Sequence, residues 1–142
     1  MDSSHPANAA ILACLERFER LSSYVQSAPR GRVDEWELGA HPDLVSLLWD
    51  EVDPHLPKRC AWIVHGRPAL VRPKTGVVFG FVSGTNLIVL RVPRALHAAF
   101  GLDERFQLRL RHPEGAACEP DWVSAPFERV RELARAAYDA AE

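Results

Sequence analysis

The chain has 142 residues, 47% hydrophobic and 25% charged, which is long enough for one hydrophobic core and typical of an ordinary globular domain. It has no run of about 20 apolar residues, as a membrane span requires, and its start, MDSSHPANAA, lacks the features of a signal peptide. Its three cysteines are odd in number and widely spaced, so we expect reduced thiols and a cytoplasmic location.

The net charge of −2 conceals a division of the chain into three segments. Residues 1–57 carry six more acidic than basic residues, residues 58–112 carry eight more basic than acidic residues, and residues 113–142 carry an acidic excess of four. Two interpretations are open. Acidic helices pack around a basic sheet and neutralise it, or the sheet keeps an open basic face for an anionic partner.

Two amphipathic helices are predicted in the N-terminal part. The first covers residues 7–26, where apolar residues recur at helical spacing. The second has Pro42 in its first turn and repeats apolar residues at spacing four, until the two prolines of DPHLP (53–57) stop it.

From residue 60 the apolar period changes from that of a helix to that of a strand. Four segments have this pattern: CAWIVH (60–65), ALVR (69–72), GVVFGFV (76–82) and NLIVLRV (86–92). The connectors PKTG and SGT contain residues typical of hairpin turns. A short helix, RALHAAFG, follows, and then RFQLRLR (105–111) alternates so regularly that it predicts a strand with one solvent-exposed face.

The rest of the chain completes an α+β pattern. The polar segment 112–121 is predicted to be a loop, and residues 126–141 a last amphipathic helix. Successive strands joined by tight turns form an antiparallel meander. We therefore predict a single α+β domain with a meander of four to five strands and helices packed on one side. Its parts are a helical part (1–57), the meander (58–112), and a loop with the last helix (113–142).

The stretch GRPALVRPKTGVVFGFVSGTNLIVLRVPRALHAAFG (66–101), the basic strand after it and the ending RELARAAYDAAE resemble the small α+β domains of the TfoX N-terminal and YjbR-like group. The likeness is one of pattern and spans about residues 60–142. It implies the same fold. Some members of that group are linked to regulation or suspected of binding DNA, and the group supplies no catalytic residues to carry over.

RPKTGVVFGFVSGTN (72–86) contains the glycines, lysine and threonine that phosphate-binding loops use. A Walker loop places its lysine after the second glycine and before a helix. Here Lys74 precedes Gly76, and a strand follows. The dinucleotide motif G-x-G-x-x-G is also missing. We therefore expect no nucleotide site and no cofactor.

The same stretch is better explained as a central strand with one unusual glycine. By alternation, Phe79 and Phe81 share one face, and we expect both in the core. Gly80 lies mid-strand, where the missing side chain lets a bulge form or another part of the chain approach. We expect a helix or a bend to lie against it.

Metal and nucleophilic sites receive little support from the sequence. Cys60 and His65 lie on opposite faces of a predicted strand, and paired ligands at short spacing are missing. Cys14 and Cys60 fall in apolar settings typical of buried thiols. We therefore expect no metal site and no catalytic residue. The cluster WDEVDPH (49–55) is either a paired-carboxylate site or, the interpretation that we favour, a solvated helix end.

Basic residues of the predicted sheet and its turns are the strongest candidates for a binding surface. Arg109 and Arg111 share one face by alternation, and Arg72 and Lys74 lie at a hairpin. If this face is open, its guanidinium groups suit phosphates or carboxylates, because the planar fork binds either with two hydrogen bonds. We predict that these four residues and Arg67 bind an anion or a partner.

Four tryptophans are present. Trp49 and Trp62 fit core positions. Trp36 and Trp122 lie in connecting segments, where an indole is either a lid over the core or an anchor for a partner. Both interpretations stay open.

Three functions remain. The first is a cytoplasmic, non-enzymatic binding module that acts through protein–protein interaction, of regulatory or immunity type. The second is nucleic-acid binding through the basic sheet face, although no helix-turn-helix or zinc finger accompanies it. The third is a small-ligand or enzyme site in a cleft between the N-terminal helices and the sheet. We favour the first, because small domains with segregated charge and no catalytic motif suit that role.

Overall fold

The computed structural model describes residues 1–16, 27–31, 38, 40–83, 87–106 and 121–142. Within these residues the predicted α+β class and antiparallel meander are confirmed. Six strands form one sheet in sequence order, each antiparallel to the next. They are β1 (Ala28–Pro29), β2 (Ala61–Val64), β3 (Arg67–Val71), β4 (Val78–Ser83), β5 (Leu87–Arg91) and β6 (Trp122–Ser124).

Four α-helices accompany the sheet in the described part of the chain. They are α1 (Ala9–Glu16), α2 (Pro42–Ser46), α3 (Arg94–His97) and α4 (Val130–Ala140). The α2 helix continues as a π-helix, Leu47–Val52, and then as a 3₁₀ turn, Asp53–His55. Of the predicted helix 7–26, residues 17–26 lie outside the described residues. None of the described helices is both long and apolar enough to span a membrane.

The helices cover both faces of the sheet, not one face as predicted. On the first face, the π-helix and α4 pack against Leu70, Phe79 and Leu90. On the second face, α1 packs against Ala69 and Phe81. The central strands carry apolar residues at successive positions, as is typical of strands buried on both faces. The described centre of the sheet therefore has no open face.

Gly80 lies next to a shift of register between β3 and β4. Leu70 pairs with Gly80, but its neighbour Val71 pairs with Val78, so Phe79 is an extra residue in β4. Phe79 and Phe81 are both in the core, as predicted, but on opposite faces of the sheet.

The space beside Gly80 is filled by side chains of the neighbouring strands. A Cβ added at Gly80 would lie 2.8 Å from Leu90 Cδ2 and 3.4 Å from Leu70 Cδ1. Leucine side chains thus approach this glycine, where we expected a helix or a bend.

The last strand of the sheet lies just beyond the predicted loop. β6 pairs with β5, where Leu90 is opposite Val123. In the predicted strand 105–111, Phe106 instead ends a 3₁₀ turn, Glu104–Phe106, and residues 107–111 lie outside the described residues. A strand of three residues is too short for alternation to reveal it.

Asn8 anchors the N-terminal segment and so places α1 on the second face. Its side chain is fully buried. Its amide donates to the carbonyl oxygens of Asp2 and Gly76, at 2.6 and 2.9 Å, and its Oδ1 accepts the Val78 N–H at 2.8 Å. One amide thus satisfies three backbone groups between the N-terminal segment and β4.

Candidate functional site

Two of the predicted binding arginines are buried. Arg67, in β3, is 6% exposed, and burial lowers its pKa. Arg72 donates to the Tyr138 carbonyl oxygen, lies 3.8 Å from the centre of the Tyr138 ring, and approaches Glu142 at 3.6 Å. Arg72 therefore joins the β3–β4 turn to the end of α4, and neither arginine contributes to an open basic face.

The remaining members of the predicted basic set are not brought together with these two in the described structure. Lys74 is exposed in the β3–β4 turn. Arg109 and Arg111 lie outside the described residues. The expected surface of five basic residues is therefore reduced to a single exposed lysine where the structure describes it.

Trp122 is a core residue. It lies in β6, is 1% exposed, and its ring centre is 5.5 Å from that of Phe81. An indole buried in this way presents no surface to a partner, and it belongs to a strand of the core and not to a connecting segment. Trp36 lies outside the described residues.

The described part of the chain contains a different polar site, at the β1 edge of the sheet. An open groove of about 540 Å³ separates β1 and β2 from the end of α2 and the segment that follows it. We call it the Trp62 groove. Its functional lining consists of Arg30, Trp49, Asp50, Asp53, Arg59 and Trp62.

Local structure explains why polar side chains meet here. β1 has only two residues, so Arg30 follows it at the sheet edge with its N–H bonded to the Ala61 carbonyl oxygen at 3.0 Å. The π-helix carries Trp49 and Asp50 to the same edge. π-helical turns are rare and occur often at functional sites. The Trp49 indole N–H donates to the Ala69 carbonyl oxygen at 3.1 Å, which fixes this wall of the groove.

The two residues of the first charged pair of the groove, Arg30 and Asp50, bind each other. Arg30 Nη1 donates to Asp50 Oδ1 at 2.8 Å, and Asp50 Oδ2 accepts the Ser46 hydroxyl at 3.3 Å. The Arg30 guanidinium also lies 4.8 Å from the centre of the Trp49 ring, within cation–π range. Both charges of this pair are therefore compensated within the groove.

The two residues of the second charged pair, Asp53 and Arg59, differ in exposure. Asp53 is 2% exposed, and its Oδ1 accepts the Cys60 N–H at 2.6 Å. Burial raises the pKa of Asp53, an effect that the Cys60 N–H and the Arg59 charge only partly offset. Arg59 lies 3.7 Å from Asp53 Oδ2, yet its side chain is 71% exposed. A buried carboxylate thus holds an arginine that points to solvent.

Groups with nucleophilic or metal-binding chemistry do not converge here. Burial raises the pKa of the Cys60 thiol to about 12, so the thiol stays protonated and unreactive. Within the described residues, no three His, Cys, Asp or Glu side chains are placed to hold a metal ion. The arrangement of the groove suits binding through charge and an indole face.

Sequence reasoning missed this groove, although it singled out part of it. The WDEVDPH cluster was interpreted as a solvated helix end, yet Asp53 folds inward to the Cys60 N–H. Trp62 was placed in the core and is only partly buried. The two prolines at 54 and 57 were the available signal, because prolines that end a helix predict a change of chain direction between Asp53 and Arg59.

The fold and the groove together define an α+β domain whose sheet is covered on both faces and whose polar site lies at one sheet edge. A comparison with known protein families, with curated proteins and with solved structures found no match to this chain. The resemblance to the TfoX N-terminal and YjbR-like group therefore stays a prediction.

Proposed function

We propose that this chain is a non-enzymatic binding module that acts through protein–protein interaction, of regulatory or immunity type, and that the Trp62 groove is its contact surface. The observation that supports this most is the side-chain chemistry of the groove. Tryptophan and arginine are the residues most often found at the energetic centres of protein interfaces. Trp62 and Arg59 combine both at the β1 edge of a sheet whose described centre is covered on both faces.

Other surfaces support the proposal less. Phe127 is a half-exposed large apolar side chain in the 3₁₀ turn that precedes α4, but a single exposed aromatic residue needs no functional explanation. Nucleic-acid binding, the second function considered from the sequence, depended on an open basic face, and Arg67 and Arg72 are buried. It now rests on Arg109 and Arg111.

A cytoplasmic location is part of the same proposal. Cys14 and Cys60 are buried thiols that form no disulfide. Thiols in this state are typical of proteins in reducing compartments.

Co-purification from an extract of the native host tests the proposed function. The tagged wild-type chain is compared with Trp62→Ala and Arg59→Glu, and Phe127→Ala serves as a matched control because it also removes a partly exposed aromatic side chain. We expect one protein to be retained by the wild type and by Phe127→Ala and to be lost with both groove variants. Equal recovery by all four chains would overturn the assignment of the groove.

A retardation assay with DNA or RNA distinguishes nucleic-acid binding from protein binding. If Arg109→Glu with Arg111→Glu abolishes retardation of DNA or RNA at low salt, while the groove variants leave it unchanged, the nucleic-acid function takes precedence. No retardation by the wild-type chain would remove that function.

A small-ligand site is favoured by one observation, namely that Asp53 and Arg59 meet in a groove large enough for a small molecule. A library of small carboxylic acids and amines, screened by NMR for shifts of the Trp62 indole N–H, tests it. Shifts that are lost with Arg59→Ala would support a ligand. No shift at saturating ligand would remove it.

A further inference from the structure

We infer that the Trp62 groove recognises an acidic segment of its protein partner, with a carboxylate placed on Arg59 and an adjacent apolar side chain on the Trp62 indole. This inference rests on the proposed function. It goes further by naming the chemistry of the partner and the two residues that read it.

The charges of the Arg30–Asp50 pair are not available to a partner. The Arg30–Asp50 pair is joined at 2.8 Å, and the Arg30 guanidinium is held over Trp49 as well. An incoming charge would have to break this pair before it could use either member. The pair therefore contributes to the shape of the groove more than to its net charge.

The charge that remains available to a partner is positive. Asp53 is covered by protein and already accepts a short hydrogen bond, whereas Arg59 is largely in solvent at 3.7 Å from it. The only charge of this pair that a partner can reach is positive. Lys58, the preceding residue, is exposed too. The charge that this pair offers to a partner in the groove is thus the Arg59 guanidinium.

The apolar lining of the groove explains why the partner also has an apolar side chain. Trp62 is partly exposed, and Pro29 and Pro54 beside it in the groove are exposed. Apolar side chains therefore line the same groove as Arg59. A charge pair gains strength where apolar contacts exclude water from it. An acidic residue flanked by an aliphatic or aromatic residue fits both features at once.

The charges of the groove suit an acidic peptide better than a nucleic acid, which is also anionic. Nucleic-acid grooves track a phosphate backbone with many cations. Here Arg59 is the largely exposed cation, and the Asp50 carboxylate, 47% exposed, lines the same groove. Successive phosphates would meet this carboxylate, whereas a single carboxylate on Arg59 would not.

A random-peptide display library is the probe that tests this inference. The full wild-type chain is immobilised, bound peptides are sequenced, and dissociation constants of the enriched peptides are measured by calorimetry. The same peptides are measured against Arg59→Glu, Arg59→Lys, Trp62→Ala and the control Arg135→Glu. Arg135 is a suitable control because it is also an exposed arginine paired with one aspartate, Asp139, but lies on α4.

We expect the enriched peptides to share a Glu or Asp beside an apolar residue. Arg59→Glu should weaken them about tenfold or more and Arg59→Lys by a smaller factor, because lysine keeps the charge and loses the planar fork. Arg135→Glu should leave their affinity unchanged. Replacing the acidic residue of the peptide by lysine should restore binding to Arg59→Glu, a rescue that a misfolded variant could not give.

Other outcomes overturn the inference, and they do so in distinguishable ways. Enriched peptides that are basic or uncharged and need Trp62 would refute the acidic partner and leave the groove as a protein-binding surface. Peptides that bind all variants equally, or a library without enrichment, would refute the groove itself. An oligonucleotide that binds more tightly than any peptide and depends on Arg59 would replace the protein partner by a nucleic acid.

Discussion

The centre of the sheet and its β1 edge use arginine in opposite ways. At the centre, Arg72 has a side chain only 11% exposed and contacts the carbonyl oxygen and ring of Tyr138. At the edge, the Arg59 side chain is 71% exposed and has one loose contact with Asp53. A guanidinium with several protein partners holds the fold together, whereas one with a single distant partner keeps its donors for something else.

The largest effect should come from breaking the contacts at the centre. Arg72→Ala removes the donor to the Tyr138 carbonyl oxygen and the stacked guanidinium, and should lower the free energy of unfolding by about 2–4 kcal/mol. Urea denaturation followed by circular dichroism measures this. Lys74→Ala, two residues away and exposed, is the control and should be nearly neutral. A denaturation midpoint for Arg72→Ala equal to that of the control would show that Arg72 is not structural.

A second test of the packed centre is Gly80→Val. The added Cβ would lie 2.8 Å from Leu90 Cδ2, so Leu90 must move, and we expect a loss of about 1–3 kcal/mol from overpacking. Gly31→Val is the matched control, because among the described residues, its chain neighbours aside, no atom lies within 4 Å of a Cβ built at Gly31. Thermal unfolding of both variants compares them. If the two transitions shift equally, close packing at Gly80 is not the cause.

At the edge, the carboxylate that holds Arg59 should matter for stability more than Arg59 itself. Asp53→Ala leaves the buried Cys60 N–H without its acceptor and should cost about 1–2 kcal/mol. Asp53→Asn keeps an oxygen in that position and should cost less. Chemical denaturation of the two variants distinguishes them, and an equal loss for both would mean that the hydrogen bond to Cys60 is not responsible.

The difference in stability between the wild type and Asp53→Asn should depend on pH. Because burial raises the pKa of Asp53, the folded state binds a proton at this carboxyl more readily than the unfolded state does. Its contribution is therefore most favourable below the unfolded pKa and is lost as pH rises through the folded pKa. The wild type should gain stability relative to Asp53→Asn as the solution is acidified. Parallel stability curves for the two chains would contradict this.

The smallest effect on stability is expected from Arg59→Ala. An exposed, loosely paired arginine contributes little to folding, so the free energy of unfolding should stay within about 0.5 kcal/mol of the wild type. Binding of the acidic peptide should nevertheless be weakened, by no more than in Arg59→Glu, which calorimetry measures. A large loss of stability would place Arg59 in the same structural class as Arg72 and end the contrast between the two regions.

Local patterns were sufficient to predict most of the architecture. Successive β-branched and aromatic residues predicted β2 to β5, turn residues predicted their antiparallel pairing, and a regular apolar stripe predicted α4. β6 was missed because three residues show no period. The strand predicted at 105–111 relied on regular alternation, yet Phe106 lies in a 3₁₀ turn, so alternation did not determine the structure at the described start of this segment.

The candidate site was harder to predict, because it depends on contacts between distant segments. Arg72 and Lys74 look equivalent in the sequence. The first is buried by the end of α4, which is more than sixty residues away along the chain, and the second is not. Asp53 and Arg59 are six residues apart, yet their pairing depends on the chain reversing between them.

By itself, the sequence determined the α+β class, the meander, the turns and the absence of familiar catalytic motifs, since these depend on neighbouring residues. Only the tertiary structure decided which charges are exposed. Burial of a side chain is set by what packs over it, and α1 and α4 cover both faces of a sheet that composition alone had allowed to stay open. The surface that we propose for binding is consequently the groove at the sheet edge and not the basic face predicted for the sheet.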